Sequence, residues 1–459
     1  MGDTTPADLS TEPQNRKPHT IPPIPIAQSW QEEIGALKEV ADELAVSLWR
    51  ALRNVRMWAD TSPERRKGLF RLPSRTTQEE VGYACARAPQ LVEAFGTFAF
   101  LLRAPGQIKD AQVAEACRQV HEWADAHSLL LTGVHFAEAA GIVAPDDPAR
   151  ANDAGWMCYR AALYDRAETW YRRAYGLAVQ MRRVDLSTSR EQSIRALLRT
   201  GILTQTLGRH EKAREFFDLA ARRAARTGRR PLAAKANHDL LTYMAEVGNY
   251  TEGENYASQA LDLYAHDAPQ LPTLAQDFAF LLVRFHYYTY AIPLLQLSLS
   301  RNHLPEALTL AWATLARAAA GAGRRELFET AERKALSQVA LHEDFAPGVF
   351  MNLGEGARAL GEWDQAESYA AMALEAARQR QQQLAERDAL ILMDHIAERQ
   401  HAYSEEPPPN ADRIRLLTRR FGSRLRKWKA PGPSEPGTYT HTGRDEFIET
   451  EAQPPDPTV

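Results

Sequence analysis

Long apolar runs are missing from these 459 residues. The nearest, FAFLLVRF at 278–285, is interrupted by Arg284 and falls far short of the roughly 20 residues that cross a bilayer. Cysteine is scarce. Cys85, Cys117 and Cys158 are widely spaced and odd in number, which argues against a disulfide framework or a zinc site. The N-terminal stretch MGDTTPADLSTEPQNRKPHT lacks the apolar core of a signal peptide, so the expectation is a cytoplasmic protein with reduced thiols. The net charge of −4 gives no basic field over the whole molecule and argues against a nucleic-acid partner. No stretch alternates apolar and polar residues, so strands are not expected, which weighs against most enzyme folds. There is no P-loop and no nucleophile elbow. The sequence therefore predicts no enzyme activity, no cofactor and no metal site.

What is present is helical periodicity. In Phe350 to Ala373, FMNLGEGARALGEWDQAESYAAMA, the residues Phe350, Leu353, Gly354 and Ala357 fall at helical spacing. Gly361 and Trp363 then mark a turn, and Ala366, Ala370 and Ala373 share a second helical face. Small residues let two antiparallel helices approach while Phe350, Leu353 and Trp363 fill the gaps. One such hairpin cannot bury its own apolar face and must stack on copies of itself.

Copies exist. The position of Ala366 recurs as Ala167, Ala213, Gly253, Ala291 and Phe328, and that of Ala373 as Ala174, Ala220, Ala260, Ser298 and Ala335. The steps from 167 to 213, 253, 291, 328 and 366 are 46, 40, 38, 37 and 38 residues. The pattern resembles the tetratricopeptide repeat (TPR) family, whose repeat is about 34 residues. The resemblance covers 146–382. It implies an all-α fold: a TPR-like α-solenoid, a right-handed superhelix of about six helical hairpins.

Taken in order, residues 1–29 read as a disordered, proline-rich leader and 30–105 as an N-terminal helical domain, with a stripe from Ile34 through Leu37, Ala41, Leu44, Leu48 and Leu52 to Val55. Thr77 with Glu80 suggests a capping box, and Pro89 should split the helix that follows. Residues 106–145 read as a helical hairpin or cap and 146–403 as the repeats. A proline-rich linker at 404–412, a basic amphipathic segment at 413–429 and an acidic disordered tail at 430–459 complete the chain. Pro231 and Pro305 fit helix starts, while Pro293 should bend a helix or mark its first turn.

Several motifs have bland explanations. GEGARA at 354–359 matches a dinucleotide fingerprint but lacks a preceding strand. HEWAD at 121–125 offers Asp125 where a zinc helix needs a second His. The arginines at 222, 223, 226, 229 and 230 suit a helix C-terminus. Residues 76–95 faintly resemble a helix-turn-helix, yet the following helix is apolar and acidic rather than rich in base-reading side chains.

By resemblance, the first helix of each pair lines a concave groove that binds a protein or peptide. Projected onto this chain, the groove holds Asn152, Tyr159, Arg160, Arg199, Lys235, His238, Gln276, Arg317, Asn352 and Arg358, with Trp156 and Arg195 alongside. The implied function is a non-enzymatic scaffold or adaptor. The alternative is a ligand- or peptide-sensing transcriptional regulator that binds DNA through its N-terminal region. In RIRLLTRRFGSRLRKWK at 413–429, Ile414, Leu417, Phe421, Leu425 and Trp428 gather on one helical face and Arg419, Arg420 and Arg424 lie off it. Three readings fit this segment: capping the array, docking on an anionic membrane or acidic partner, or pairing with the acidic residues 445–451.

Overall fold

The computed structural model describes residues 21–24, 37–70, 82–84, 86–265, 268–301, 305–400, 408 and 410–428. The expected capping box at Thr77 and Glu80 and the acidic tail lie outside them, as does most of the leader and of the linker. The described residues form helices and no strand. Helices α1 (Asp42–Ala59) and α2 (Val92–Arg103) build the N-terminal part, with residues 82–84 and 86–87 also helical between them. The stripe predicted from Ile34 enters α1 only at Asp42; Leu37 is buried from a turn instead. Pro89 opens a short 3-10 turn, Pro89–Leu91, that leads into α2.

Seven antiparallel hairpins follow. They pair α3 (Asp110–Ala126) with α4 (Leu130–Val143), α5 (Pro148–Arg160) with α6 (Tyr164–Met181), and α7 (Leu186–Thr206) with α8 (His210–Thr227). Next come α9 (Arg230–Val247) with α10 (Tyr250–Leu263), α11 (Leu271–Arg284) with α12 (Tyr288–Leu299), and α13 (Pro305–Gly321) with α14 (Arg325–Val339). The last pair is α15 (Ala346–Ala359) with α16 (Trp363–Gln379), followed by α17 (Gln383–Ala397) and α18 (Ala411–Lys427). Pro231 and Pro305 stand at helix starts. Pro293 does not: α12 runs through it.

The repeat register is written in the backbone. At the turn inside each hairpin one residue takes a positive φ: Ser128, Ala162, Gly208, Gly248, His286, Gly323 and Gly361, and the series continues at Arg399. Successive differences between these positions are 34, 46, 40, 38, 37, 38 and 38 residues. The inner five reproduce the spacing seen in the sequence, and the register extends one hairpin upstream and one helix downstream. The left-handed conformation closes the end of the first helix so that the second can turn back. The longest step contains α7, 21 residues long. Tight stacking favours small residues: a Cβ on Gly354 would lie 2.9 Å from a Leu392 methyl, so a larger residue there would force the Leu392 side chain of α17 to shift.

The row of first helices closes on itself. Helix α17 touches α7, and contacts join the first hairpins to the last. Arg160 donates through Nε to Asp344 at 2.8 Å and through Nη1 to Asp125 at 2.7 Å. Arg380 Nη2 donates to the Arg160 carbonyl at 2.6 Å, and Ser128 Oγ lies 2.9 Å from His342 Nδ1. Both carboxylates on Arg160 are nearly or wholly buried, so the junction is an internal ion-pair network rather than a surface contact.

Helix α18 corrects two expectations. It does not cap the end of the array; it crosses back to its middle, where Phe421 stacks on Phe278 at 5.3 Å and Trp428 Nε1 donates to the Ala268 carbonyl at 3.0 Å. Arg413 pairs with Glu254 at 2.9 Å, Arg420 with Asp262, and Arg424 donates to the Leu261 and Tyr264 carbonyls. Ile414, Leu417, Phe421, Leu425 and Trp428 are all buried against the chain's own helices. The apolar face that a membrane or partner would need is thereby used, because burying it beside α10, α11 and α12 also satisfies the flanking arginines. Arg419 remains exposed. Residues 21–24 of the expected disordered leader likewise lie against α6: the Pro22 carbonyl accepts from Arg173 at 2.9 Å.

Candidate functional site

The inner helices α5, α7, α9, α11, α13, α15 and α17 present two stripes, best indexed by distance back from each positive-φ turn residue. The first stripe, two, six, nine and thirteen residues back, recurs at three- and four-residue steps and so shares one helical face. It carries Arg160, Trp156 and Asp153; Arg199 and Arg195; Glu246, Asp239 and Lys235; Arg284 and Asp277; Arg317; Glu355 and Asn352. The second, three and ten residues back, carries Tyr159, Asn152, His238, Gln276 and Arg358 and runs along the seams between neighbouring helices.

Most sequence-predicted groove residues are therefore brought to the inner face or its seams, but many are committed to holding it together. Asn152 is fully buried; its Nδ2 donates to the Gln192 side chain and backbone at 3.0 and 3.1 Å, and its carbonyl accepts from Arg199 Nη1 at 2.6 Å. Arg199 also lies over the Trp156 ring at 5.3 Å. Tyr159 meets Thr206 Oγ1 at 3.0 Å, and burial raises its phenol. Lys235 pairs with Asp239, Arg195 with Glu191, and His238 Nε2 with Asp277 at 2.7 Å. Arg160 belongs to the closing junction. Arg358 grips Glu355 through Nη2 at 2.7 Å and donates Nη1 to the Gln400 carbonyl at 2.9 Å.

A second group has no such commitments. Asn352 donates Nδ2 to the Gly348 carbonyl, but its Oδ1 has no partner, nor has Gln276 Oε1. Arg317 is 9 % exposed and, among the described residues, has neither a hydrogen-bond acceptor nor an ion-pair partner. Arg284 and Glu246 are likewise without direct partners there. These groups nevertheless feel one another. Burial pulls the Arg317 guanidinium below its ordinary range; Glu355 opposes this, and Arg284 and Arg358 add to it. Burial lifts the Glu246 carboxyl, with Arg284, Arg317 and Arg387 opposing and Asp388 assisting. Glu246 on α9 thus feels charges on α11, α13 and α17. His286 is pulled down by burial and by Arg317, Arg358 and Arg284, and its Nδ1 lies 2.7 Å from the Tyr288 hydroxyl.

Sequence reasoning missed Glu246, Arg284, Glu355 and Asp277. The available signal was positional: each turn residue fixes a count, and stepping back by two, six and nine finds them. The other motifs resolve structurally. GEGARA lies inside α15, where Gly356 faces the Phe328 ring and the Arg317 backbone rather than a phosphate. Asp125 of HEWAD binds Arg160.

This arrangement defines an all-α solenoid of stacked helical hairpins. No protein family matches the sequence, and no curated protein matches it. Among solved structures, the chain is similar to the crystal structure of a Rap protein complexed with competence and sporulation factor. That similarity has a TM-score of 0.37 and 13% identity over 84% of this chain and 98% of the other.

Proposed function

We propose that this protein is a non-enzymatic, cytoplasmic scaffold that binds a protein segment or peptide along its inner face, as a TPR-type array does. The observation that carries the reading is Arg317, buried on that face with no hydrogen-bond or ion-pair partner among the described residues, beside the half-buried Arg284 and Glu246. Desolvating a charge without pairing it costs free energy, so a face serving only to pack helices would be apolar. Perturbed, clustered titratable groups in a concavity are candidates for ligand contact. A row of inner helices spaced at roughly 8–10 Å suits an extended chain better than a compact metabolite. The amide oxygens of Gln276 and Asn352 are buried without partners, and a peptide N–H would satisfy them only after the side chains turn outward.

No described helix is long and apolar enough to cross a membrane. The DNA-binding alternative gains no support from α2, which spends Ala94, Phe95, Phe98 and Leu101 on the core.

The test uses the immobilised full-length chain and a randomised heptapeptide library, with retained peptides identified by mass spectrometry. The Gln276→Leu, Asn352→Leu double variant removes two amide oxygens that have no partner, at the loss of the Asn352 bond to the Gly348 carbonyl, and should stay folded. The expected result is a retained subset that the variant loses. Retention of the same subset by the folded variant would contradict an inner-face site.

A further inference from the structure

We propose that a second copy of this chain covers the end of the array: two α17 helices pair antiparallel across a two-fold axis, making the protein a dimer. The pairing uses the last helix of the solenoid and is independent of what the inner face binds.

Eight residues before the positive-φ turn residue, the seven complete hairpins place Val120, Ala154, Thr200, Leu240, Phe278, Leu315 and Leu353, none more than 4% exposed. Counting back eight from Arg399 gives Ile391, which is 45% exposed, with Leu390 beside it at 41%. The cause is a missing neighbour. In each complete hairpin the first helix packs along the second. Helix α17 packs on α15, α16 and α7, while the next helix among the described residues, α18, lies against the middle of the array. Half of an eighth hairpin is thus left with apolar side chains open, although the terminal units of a repeat array ordinarily turn a polar face outward.

The same face indicates what covers it. Twelve and five residues before the turn, where α15 has the buried Val349 and Gly356, α17 carries Arg387 and Asp394, both exposed. Arg387, Leu390, Ile391 and Asp394 fall within about 100° of helical arc and form one stripe. It reads positive, apolar, apolar, negative, and is therefore complementary to itself reversed. Two copies set antiparallel about the point midway between Leu390 and Ile391 bring Arg387 of each opposite Asp394 of the other. The four apolar side chains close between them. Isologous two-fold contacts are self-complementary in this way. The Arg387 side chain is 57% exposed and meets Asp388, the next residue of its own helix, at 3.0 Å. Exposed ion pairs add little affinity, so burial of Leu390 and Ile391 supplies the attraction and the charges fix the register.

Sedimentation equilibrium of the full-length protein from about 1 to about 100 µM tests the pairing, and the expected result is a dimer. Arg387→Asp and Asp394→Arg each set like charges face to face twice and should weaken self-association at least about tenfold. Mixed in equal amounts, the two variants present opposite charges at both contacts and should recover the dimer mass. Ile391→Ser should weaken the dimer without rescue by either. A wild type that stays monomeric overturns the proposal, as does a dimer that both charge variants leave intact. Variants that dissociate but do not associate when mixed overturn the antiparallel pairing. Should a charge variant fail to fold by circular dichroism, Ile391→Ser decides: a folded monomer supports the pairing and an intact dimer overturns it.

Discussion

Arg199 and Arg317 are both more than nine-tenths buried on inner helices of the same array, yet their surroundings differ. Arg199 donates to the Asn152 carbonyl, lies over Trp156 and sits 3.9 Å from Asp153. It ties α5 to α7. Arg317 has repulsive guanidiniums for neighbours and a glutamate that already belongs to Arg358. In the first region buried charge is part of the scaffold; in the second it stands without a direct partner among the described residues. The inner helices thus carry two kinds of buried charge, and the distinction lies in which charges have found partners.

The largest expected effect is at the closing junction, where Arg160 bridges two buried carboxylates. Arg160→Ala would leave Asp125 and Asp344 buried without their cation and should lower stability by about 3–5 kcal/mol, read as a shifted urea midpoint. A midpoint within error of wild type would mean that the ring holds without this network.

A smaller effect of opposite sign is expected from Glu246→Gln. Burial lifts the Glu246 carboxyl above its ordinary value of 4.5, so the folded state binds a proton more tightly than the unfolded state does. Its contribution is present below that value and is lost as pH rises through the lifted one. Stability profiles of wild type and Glu246→Gln should therefore converge in acid and separate toward pH 8, with the variant ahead. Parallel profiles would mean that Glu246 is no more desolvated when folded than unfolded.

The repeat architecture was legible because hairpin stacking imposes small residues at fixed separations. Gly361, Ala366 and Ala373 announce a turn and a close approach whatever their neighbours are. Ala162 and His286 were harder to see as turn residues, since neither is the glycine that a positive φ favours. The inner-face residues were found in part, because a charged residue one helical turn from another is visible in sequence while its partner three helices away is not. Nothing local distinguishes Arg199, which is consumed by Asn152, from Arg317, which is not. The fate of α18 was hidden for the same reason. Its amphipathic stripe was plain, but only the fold reveals Phe278 as the surface it covers.

The contrast between the two arginines can be measured directly by melting Arg199→Met and Arg317→Met beside the wild type. The account predicts that Arg199→Met loses about 1.5–3 kcal/mol, the worth of a hydrogen bond to a charged group. Arg317→Met should be neutral or slightly stabilised, since an apolar side chain of similar length replaces an uncompensated charge. A loss for Arg317→Met as large as that for Arg199→Met would contradict the account, because Arg317 would then be part of the scaffold rather than free to meet a ligand.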